Sequence, residues 1–418
     1  MYRMLLLISF LVIGSSAHAR IFSGFSEADI TPTDSEGMSS CMGGYGAPFQ
    51  RCGISQSSSS IMIGALSIID YNDIIILVSI DSVGIGHSLK SDIIQAAREI
   101  SQGRLWHANI LISATHSHSG PDFQGLWGGV DPGYRERVVR TAARAILQSY
   151  LNRTKTEIDF WTSDANIENR RGLDVVDSTV EILDFRSAKF GHRIATLVNM
   201  SAHPTIVDET NFTWNSDYVG HLRATVNRNL NTNTIFFNGI LGDAQPAING
   251  NRGLIESEAY GRSTGEQISN SAGMAQKLSA HDISYSETSF LHPIENPLIF
   301  GALQLGILDA NVDLENNIHT QIGIINIGSS FSAIVFPGEA LTNIGLPLLM
   351  ELSKPNTMFL GLTGDSLGYF LPRSEFGSIP GRTTEENASI SSSIGDSAIG
   401  AFSEAQIDLC THRWKKCN

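Results

Sequence analysis

Two β-rich apolar runs, Ile61–Asp70 and Ile74–Asp81, are separated only by Tyr71-Asn72-Asp73, which predicts a hairpin. Beyond it the chain keeps alternating. Ser88–Ser101 places Leu89, Ile93, Ala96, Ala97 and Ile100 along one helical face, with Ser88 or Ser91 as cap, and Tyr134–Ser149 is a second amphipathic helix. Further strands are expected at Asn109–Ser113, Val180–Phe185, Ile194–Met200, Thr234–Asn238, Gln321–Ile327, Ser332–Phe336 and Met358–Leu362. Helices are expected at Ser216–Asn229, around Gly265–Leu278 and at Ala340–Leu352. Strands and helices in this order predict an α/β fold, mixed β-sheets flanked by helices, as one domain over residues 20–418.

Composition narrows the function. With 42% hydrophobic residues the chain can bury a large core, and 28 Lys+Arg against 42 Asp+Glu give a formal charge of −14. No basic footprint for nucleic acid is present, so no nucleic-acid partner is expected. An anionic membrane would repel the molecule as a whole, although a local patch could still make peripheral contact. Arg3, the apolar run Met4–Gly14 and Ala17-His18-Ala19 have the three parts of a cleaved leader over residues 1–19, which implies a secreted or periplasmic protein. The four cysteines allow three pairings; their short separations favour Cys41–Cys52 and Cys410–Cys417. Nothing in the sequence bears on oligomeric state.

The chemistry-bearing residues gather where strands end, which is where α/β sheets place ligand sites. Asn109–Ser113 runs into Ala114-Thr115-His116-Ser117-His118-Ser119-Gly120-Pro121, and Ile194–Met200 into Ser201-Ala202-His203-Pro204-Thr205. Ser332–Phe336 is followed by Pro337-Gly338-Glu339, and Met358–Leu362 by a segment carrying Gly368-Tyr369. On extended backbone, His116 and His118 would point to one side and share an ion or substrate. Each residue also has a plainer reading. The histidines suit a surface loop or a hydrogen-bonded turn, Glu339 a helix first turn favoured by the dipole, and Tyr369 packing against Phe370.

Taken in order, Ala28-Asp29-Ile30-Thr31-Pro32, Gly43-Gly44-Tyr45-Gly46, Ser113–Pro121, Asn199–Thr205, Gly242-Asp243-Ala244-Gln245-Pro246 and Pro337-Gly338-Glu339 resemble the neutral/alkaline, non-lysosomal ceramidase family. Its members are zinc hydrolases that cleave the amide of ceramide to a fatty acid and sphingosine. The resemblance implies one catalytic Zn2+, with His116, His203, Glu339 and Tyr369 as ligands, and a catalytic role for His118. It places Arg170, or equally Arg171, close to a small lipid-like N-acyl substrate, with Tyr369 and Arg170 able to act in catalysis. Asp243 and Gln245 would lie on the substrate side; Asp243 could also orient His203 or His116, or simply close a turn. Asp217 reads as an N-terminal helix residue.

Three departures from the family pattern stand out, of which the first and third bear on the substrate. Gln245 stands where the family's Gly-Asp-x-Ser-Pro motif has serine, and an amide side chain is no nucleophile. The residues after Phe376 leave no room for the family's C-terminal immunoglobulin-like domain, and Gly377–Arg382 lacks the tyrosine-glutamate often seen there. The alternatives are a zinc hydrolase of a different amide or ester, or a non-catalytic lipid- or glycan-binding relative. A lipid substrate would need an apolar groove, for which Phe123, Leu126 and Trp127 are candidates; the other reading makes them core.

Overall fold

A computed structural model of the protein describes residues 21–46, 49–380 and 383–412. The expected leader, Cys417 and the side chain of Cys410 lie outside the described residues. Cys41 and Cys52 form the expected disulfide.

The strands in chain order are β1 Phe22–Asp29, β2 Met62–Ile69, β3 Ile74–Ile80, β4 Asn109–Ala114, β5 Thr154–Asp164, β6 Ile167–Asn169, β7 Thr179–Ser187, β8 Arg193–Met200 and β9 Thr234–Asn238. They continue with β10 Ala244–Pro246, β11 Gln276–Lys277, β12 Ile283–Pro293, β13 Asn317–Ile327, β14 Phe331–Val335, β15 Glu339–Ala340, β16 Asn356–Leu360 and β17 Tyr369–Phe370. The helices are α1 Asp34–Met38, α2 His87–Ile100, α3 Pro132–Leu151, α4 Asp217–Leu230, α5 Leu254–Ser271, α6 Pro297–Gln304, α7 Thr342–Glu351, α8 Thr384–Asn387 and α9 Ile394–His412. A large mixed sheet runs β4-β3-β2-β1-β5-β7-β8-β9, with β11 added to β5, and a smaller one runs β12-β13-β14-β16. The pairs β3–β4, β8–β9 and β14–β16 are parallel.

Alternation along β3 shows how the layers arise. Ile76, Val78 and Ile80 face the cluster that holds Leu89 and Ile93 of α2 and Val138 and Ile146 of α3. Ile75 and Leu77 point the other way, into a central core with Leu197, Phe237, Phe331, Val335 and Leu360. A strand covered on both faces reads as a continuous apolar run, which is what this one is. The same division recurs elsewhere: β7, β8 and β9 turn outward onto α4 and α5, while β13, β14 and β16 turn outward onto α7 and α9.

The large sheet curls so that its two ends meet. Asn238 Nδ2, at the end of β9, donates to Ala114 O at the end of β4 (2.9 Å), and Gly361 N, just past β16, donates to Asn238 O (2.9 Å). Asn199 Nδ2 ties β9 and β16 to β8 through Phe237 O and Phe359 O. The carboxyl ends of β4, β8, β9 and β16 therefore converge, and the loops after them meet. Asn199 is buried by this duty, which leaves its Asn-x-Ser sequence no surface for a glycan.

The α/β reading and the strands on both sides of the site match the structure. Strands β1, β5 and β12 and helix α9 were not foreseen. The helix expected from Ala340 begins at Thr342, because Glu339 and Ala340 form the short strand β15. The helical stretch expected around Gly265–Leu278 is the end of α5, and Gln276–Lys277 is strand β11.

Candidate metal centre and its cavity

His116 and His118 follow β4, but not on extended backbone. His116 has φ 65°, a left-handed conformation uncommon for a residue with a side chain, so the expectation of a strand-like pair is corrected. A turn, not the strand pleat, brings the rings together, 4.9 Å between centroids. Backbone bonds clamp it: Thr115 N to Ile80 O (2.9 Å), His118 N to Pro204 O (3.3 Å), and the guanidinium of the buried Arg51 to His118 O and Gly43 O. Ser117 Oγ adds a bond to Asn215 O (2.9 Å).

His203 arrives from the loop after β8, with its ring 4.9 Å from that of His116. Glu339 and Tyr369 come from β15 and β17, which pair in parallel with these two residues in register. Glu339 is thus a strand residue; the helix-first-turn reading does not apply. His116, His203 and Glu339 each offer one ligand atom, all within 4.8 Å of one another. Glu339 Oε2 lies 2.9 Å from His203 Nε2 and 3.3 Å from His116 Nε2, and Tyr369 OH lies 3.3 Å from His203 Nε2.

The protons of this group decide what it can hold. His116 Nδ1 faces Val83 O (2.5 Å) and His203 Nδ1 faces Ala244 O (3.0 Å). A carbonyl accepts only, so both imidazoles carry their proton on Nδ1 and present a bare Nε2. Two imidazole lone pairs and a carboxylate then face one another with no proton among them. Such a set is a cation site, with its imidazoles oriented by the carbonyl bonds. Burial, then the charge of Arg170, pushes His203 down to about 4. Burial opposes the charge of Glu339, but His116 and His203, whenever they are protonated toward it, outweigh burial and hold its carboxyl well below the usual range. At pH 7 His203 is neutral and Glu339 ionised, the forms that bind a metal.

His118 Nε2 is 3.3 Å from His116 Nε2, and Tyr45 packs edge-on against the His118 ring at 5.0 Å. Burial, followed by the neighbouring His116 and His203, drives His118 well below an ordinary histidine. Its Nδ1 is buried with no hydrogen-bond partner among the described residues.

Of the two arginines, Arg170 faces the site. Its guanidinium lies 5.2 Å from the centre of the Tyr369 ring, donates to Gly242 O (2.9 Å) and pairs with Glu385 (2.9 Å). Arg171 turns away to Glu375 (3.1 Å). Asp243 is fully buried, and its carboxylate accepts from Thr342 N (2.8 Å), Thr342 Oγ1 (2.7 Å) and Asn169 Nδ2 (2.8 Å). The substrate-side and histidine-orienting expectations for Asp243 are therefore corrected. It touches neither His203 nor His116, whose Nδ1 atoms are held by carbonyls, and it has no surface for a substrate; it fastens the start of α7 to β6. Gln245 spans Glu168 Oε1 (2.6 Å) and Arg252 (3.3 Å), so a substrate contact there requires one of these to yield. Asp217 does open α4, but it is buried. Burial lifts its carboxyl to about 6, against hydrogen bonds from Val207 N, Tyr218 N and Ser257.

A cavity of about 200 Å³ opens beside His116, His118, Glu339 and Tyr369. Most of its wall is apolar, with Ile85, Leu126, Trp127, Ile299, Leu308 and Ile390 contributing. Leu126 and Trp127 stand where the groove reading put them. Phe123 does not: it is buried and packs 5.8 Å from Tyr134. Arg51, Glu385, Ile299 and Leu308 carried no sequence signal of a part in this region. Gly44 did lie in a quoted motif, and a Cβ there would overlap the His118 ring.

The folded shape has solved counterparts. A crystal structure of neutral ceramidase from Pseudomonas aeruginosa superposes with a TM-score of 0.77 at 15% identity, covering 94% of this chain and 74% of that one. The fold is that of neutral ceramidase. A second structure, a ceramidase complexed with C2, gives a TM-score of 0.78 at 14% identity over 94% of this chain and 75% of that one. No protein-family model and no curated protein matches the sequence. The ceramidase fold is held here at 14–15% sequence identity.

Proposed function

We propose that this chain is a secreted zinc-dependent amidohydrolase that cleaves the N-acyl amide of ceramide or a related N-acyl lipid into a fatty acid and an amine. The observation that carries the reading is the joining of a buried two-histidine, one-carboxylate group to an apolar cavity. One lobe of the pair suits a metal and the other an acyl chain. The ceramidase fold supports the reaction class, and the disulfide fits an exported protein. No helix among the described residues is long and apolar enough to cross a membrane.

His116, His203 and Glu339 would hold the ion, with Tyr369 at the fourth place. Zinc bound there supplies Lewis acidity for the carbonyl and for water near neutral pH. The chain's own residues do the rest. Tyr369 OH and the Arg170 guanidinium donate to the amide oxygen as it gains negative charge, in a site dry enough for such bonds to count. Arg170 is held in place for this by Glu385 and Gly242 O. His118, neutral at pH 7, takes the proton of the attacking water as its oxygen bonds to the carbonyl carbon, and delivers it to the nitrogen as the C–N bond breaks. The apolar wall orients the acyl chain and excludes water.

Gln245 in place of the motif serine favours a second reading, a zinc hydrolase of a different amide or ester with the same metal chemistry. The first experiment measures fatty-acid release from a short-chain labelled ceramide by the zinc-loaded protein, with His116→Ala beside it. Turnover that disappears in the variant supports the ceramide reading. No turnover with one zinc per chain bound discards ceramide and sends the work to a panel of amides and esters. Equal turnover by the variant sinks the metal site itself.

A further inference from the structure

One stretch of the cavity wall also faces outward. Ile299, Leu308 and Ala310 line the cavity from α6 and the turn after it. The same stretch carries Leu298 at 64% exposure, Phe300 at 38%, Leu305 at 76% and Ile307 at 38%. Not one residue of α6 is buried. The helix is nevertheless anchored: the Asn296 side chain caps Leu298 N (2.9 Å) and donates to Asn387 O and Ser389 O (2.8 Å each), while Ile299 packs inward. Large apolar side chains presented to water on an anchored helix mark a contact surface.

Charge selects the partner. Residues 297–308 contain no charged side chain, and the nearest ones along the chain, Glu295, Asp309, Asp313 and Glu315, are all acidic; from α3, Arg135 reaches Asp309 only through Ser88 Oγ (3.1 and 2.6 Å). No lysine or arginine occurs anywhere in residues 278–353, and the whole chain is at −14. An anionic surface is repelled by such a face. A zwitterionic bilayer is not, and its acyl region takes apolar side chains out of water.

We propose that α6 and the turn to Ile307 form a docking surface for zwitterionic membranes, seated beside the cavity so that a lipid passes from the bilayer to the site along one apolar path. The proposal rests on the reading of the cavity as a lipid site. Its lipid preference is the reverse of that of a polybasic anchor, since anionic lipid weakens the contact.

The test is cosedimentation of the full protein with phosphatidylcholine vesicles, comparing wild type with Leu298→Asp/Leu305→Asp and, as a milder pair, Leu298→Gln/Leu305→Gln. Burial of one leucine is worth about tenfold in partition, so the double variants should bind about a hundredfold more weakly. Both residues lie outside the cavity wall, so hydrolysis of a soluble short-chain ceramide without vesicles stays at the wild-type level. Admixed phosphatidylglycerol should reduce wild-type binding, and salt should restore it. A wild type that stays in the supernatant, variants that sediment equally well, or binding that rises with anionic lipid overturns the proposal. So does a dimer that the variants dissolve, which would give the face to a second copy of the chain. Failure of the ceramidase reading looks different: no turnover by any of the proteins, with vesicle binding intact.

Discussion

Glu339 and Tyr369 are register partners across the parallel pair β15–β17, and both reach His203 Nε2, the carboxylate at 2.9 Å and the phenol at 3.3 Å. Partners in register project to the same side of a ladder, so two residues distant in sequence are aimed together by backbone bonds alone. The ladder is stiff because Ala340 and Phe370 behind it are fully buried, Phe370 against Phe336 at 4.8 Å.

Tyr369→Phe separates the two jobs of the phenol. The ring stays under Arg170, while the hydroxyl is lost. If the hydroxyl donates to the amide oxygen, kcat falls about 10²–10³-fold with KM little changed, as for the loss of one oxyanion donor. Zinc content, read by atomic emission on the same sample, should stay near one per chain. Loss of the metal instead would make the hydroxyl a ligand first and a donor second.

His203 contributes to the acid stability of the metal-free protein. Burial and Arg170 put it at about 4 in the folded state, against 6.5 unfolded. The unfolded chain therefore takes a proton first as pH falls. Stability from this group is complete above pH 6.5 and drains away between 6.5 and 4, to a total of about 3 kcal/mol. Urea titrations of chelator-treated protein at pH 7 and pH 4.5 should show most of that loss, and His203→Asn should reduce it, leaving the part that belongs to His118. Equal slopes in the two proteins would contradict the account.

Which parts of this were legible in the sequence follows from physics. Strands buried on both faces, such as Ile74–Ile80, are apolar throughout and announce themselves. β1, β5 and β12 do not, because each has a face or an end in water and carries Ser, Glu, Asp or Thr there; β12 is an edge strand of the small sheet. The site histidines and Glu339 were findable because reactive side chains at strand ends are unusual. Their geometry was not. The left-handed turn at His116 is stabilised by Ile80, Pro204 and Arg51, all remote in sequence. The ion pair of Arg170 with Glu385 likewise joins segments that no local pattern connects.

Gly44 tests whether His118 acts through its position. Its φ of 96° already disfavours any side chain, and the atoms a Cβ would meet first are those of the His118 ring. Gly44→Ala should leave zinc binding intact and lower kcat by about 10²-fold, the scale of a displaced acid–base group. Gly46→Ala is the control, since a Cβ there meets nothing within 4 Å. Parallel loss in both variants would mean that the loop as a whole, and not the histidine contact, is what matters.

Leu308 decides where the acyl chain lies. It is half-buried, lines the cavity next to Ile299 and belongs to the α6 side of the wall, away from the backbone clamps that hold the metal residues. Leu308→Trp fills part of a cavity of about 200 Å³ from the α6 side. Each methylene kept out of an apolar site forfeits about 0.8 kcal/mol, so excluding two or three of them lowers kcat/KM for a long-chain substrate about 10–50-fold. A two-carbon acyl group does not reach that wall, and its kcat/KM should stay within about twofold, because uniform binding lost at a distance leaves the reacting centre unchanged. Overpacking is a separate effect, costing about 1–3 kcal/mol of stability, and a thermal melt measures it independently. If long and short substrates fall together while the melt holds, the wall at Leu308 does not receive the acyl chain, and the sphingoid or other amine-bearing half of the substrate belongs there instead.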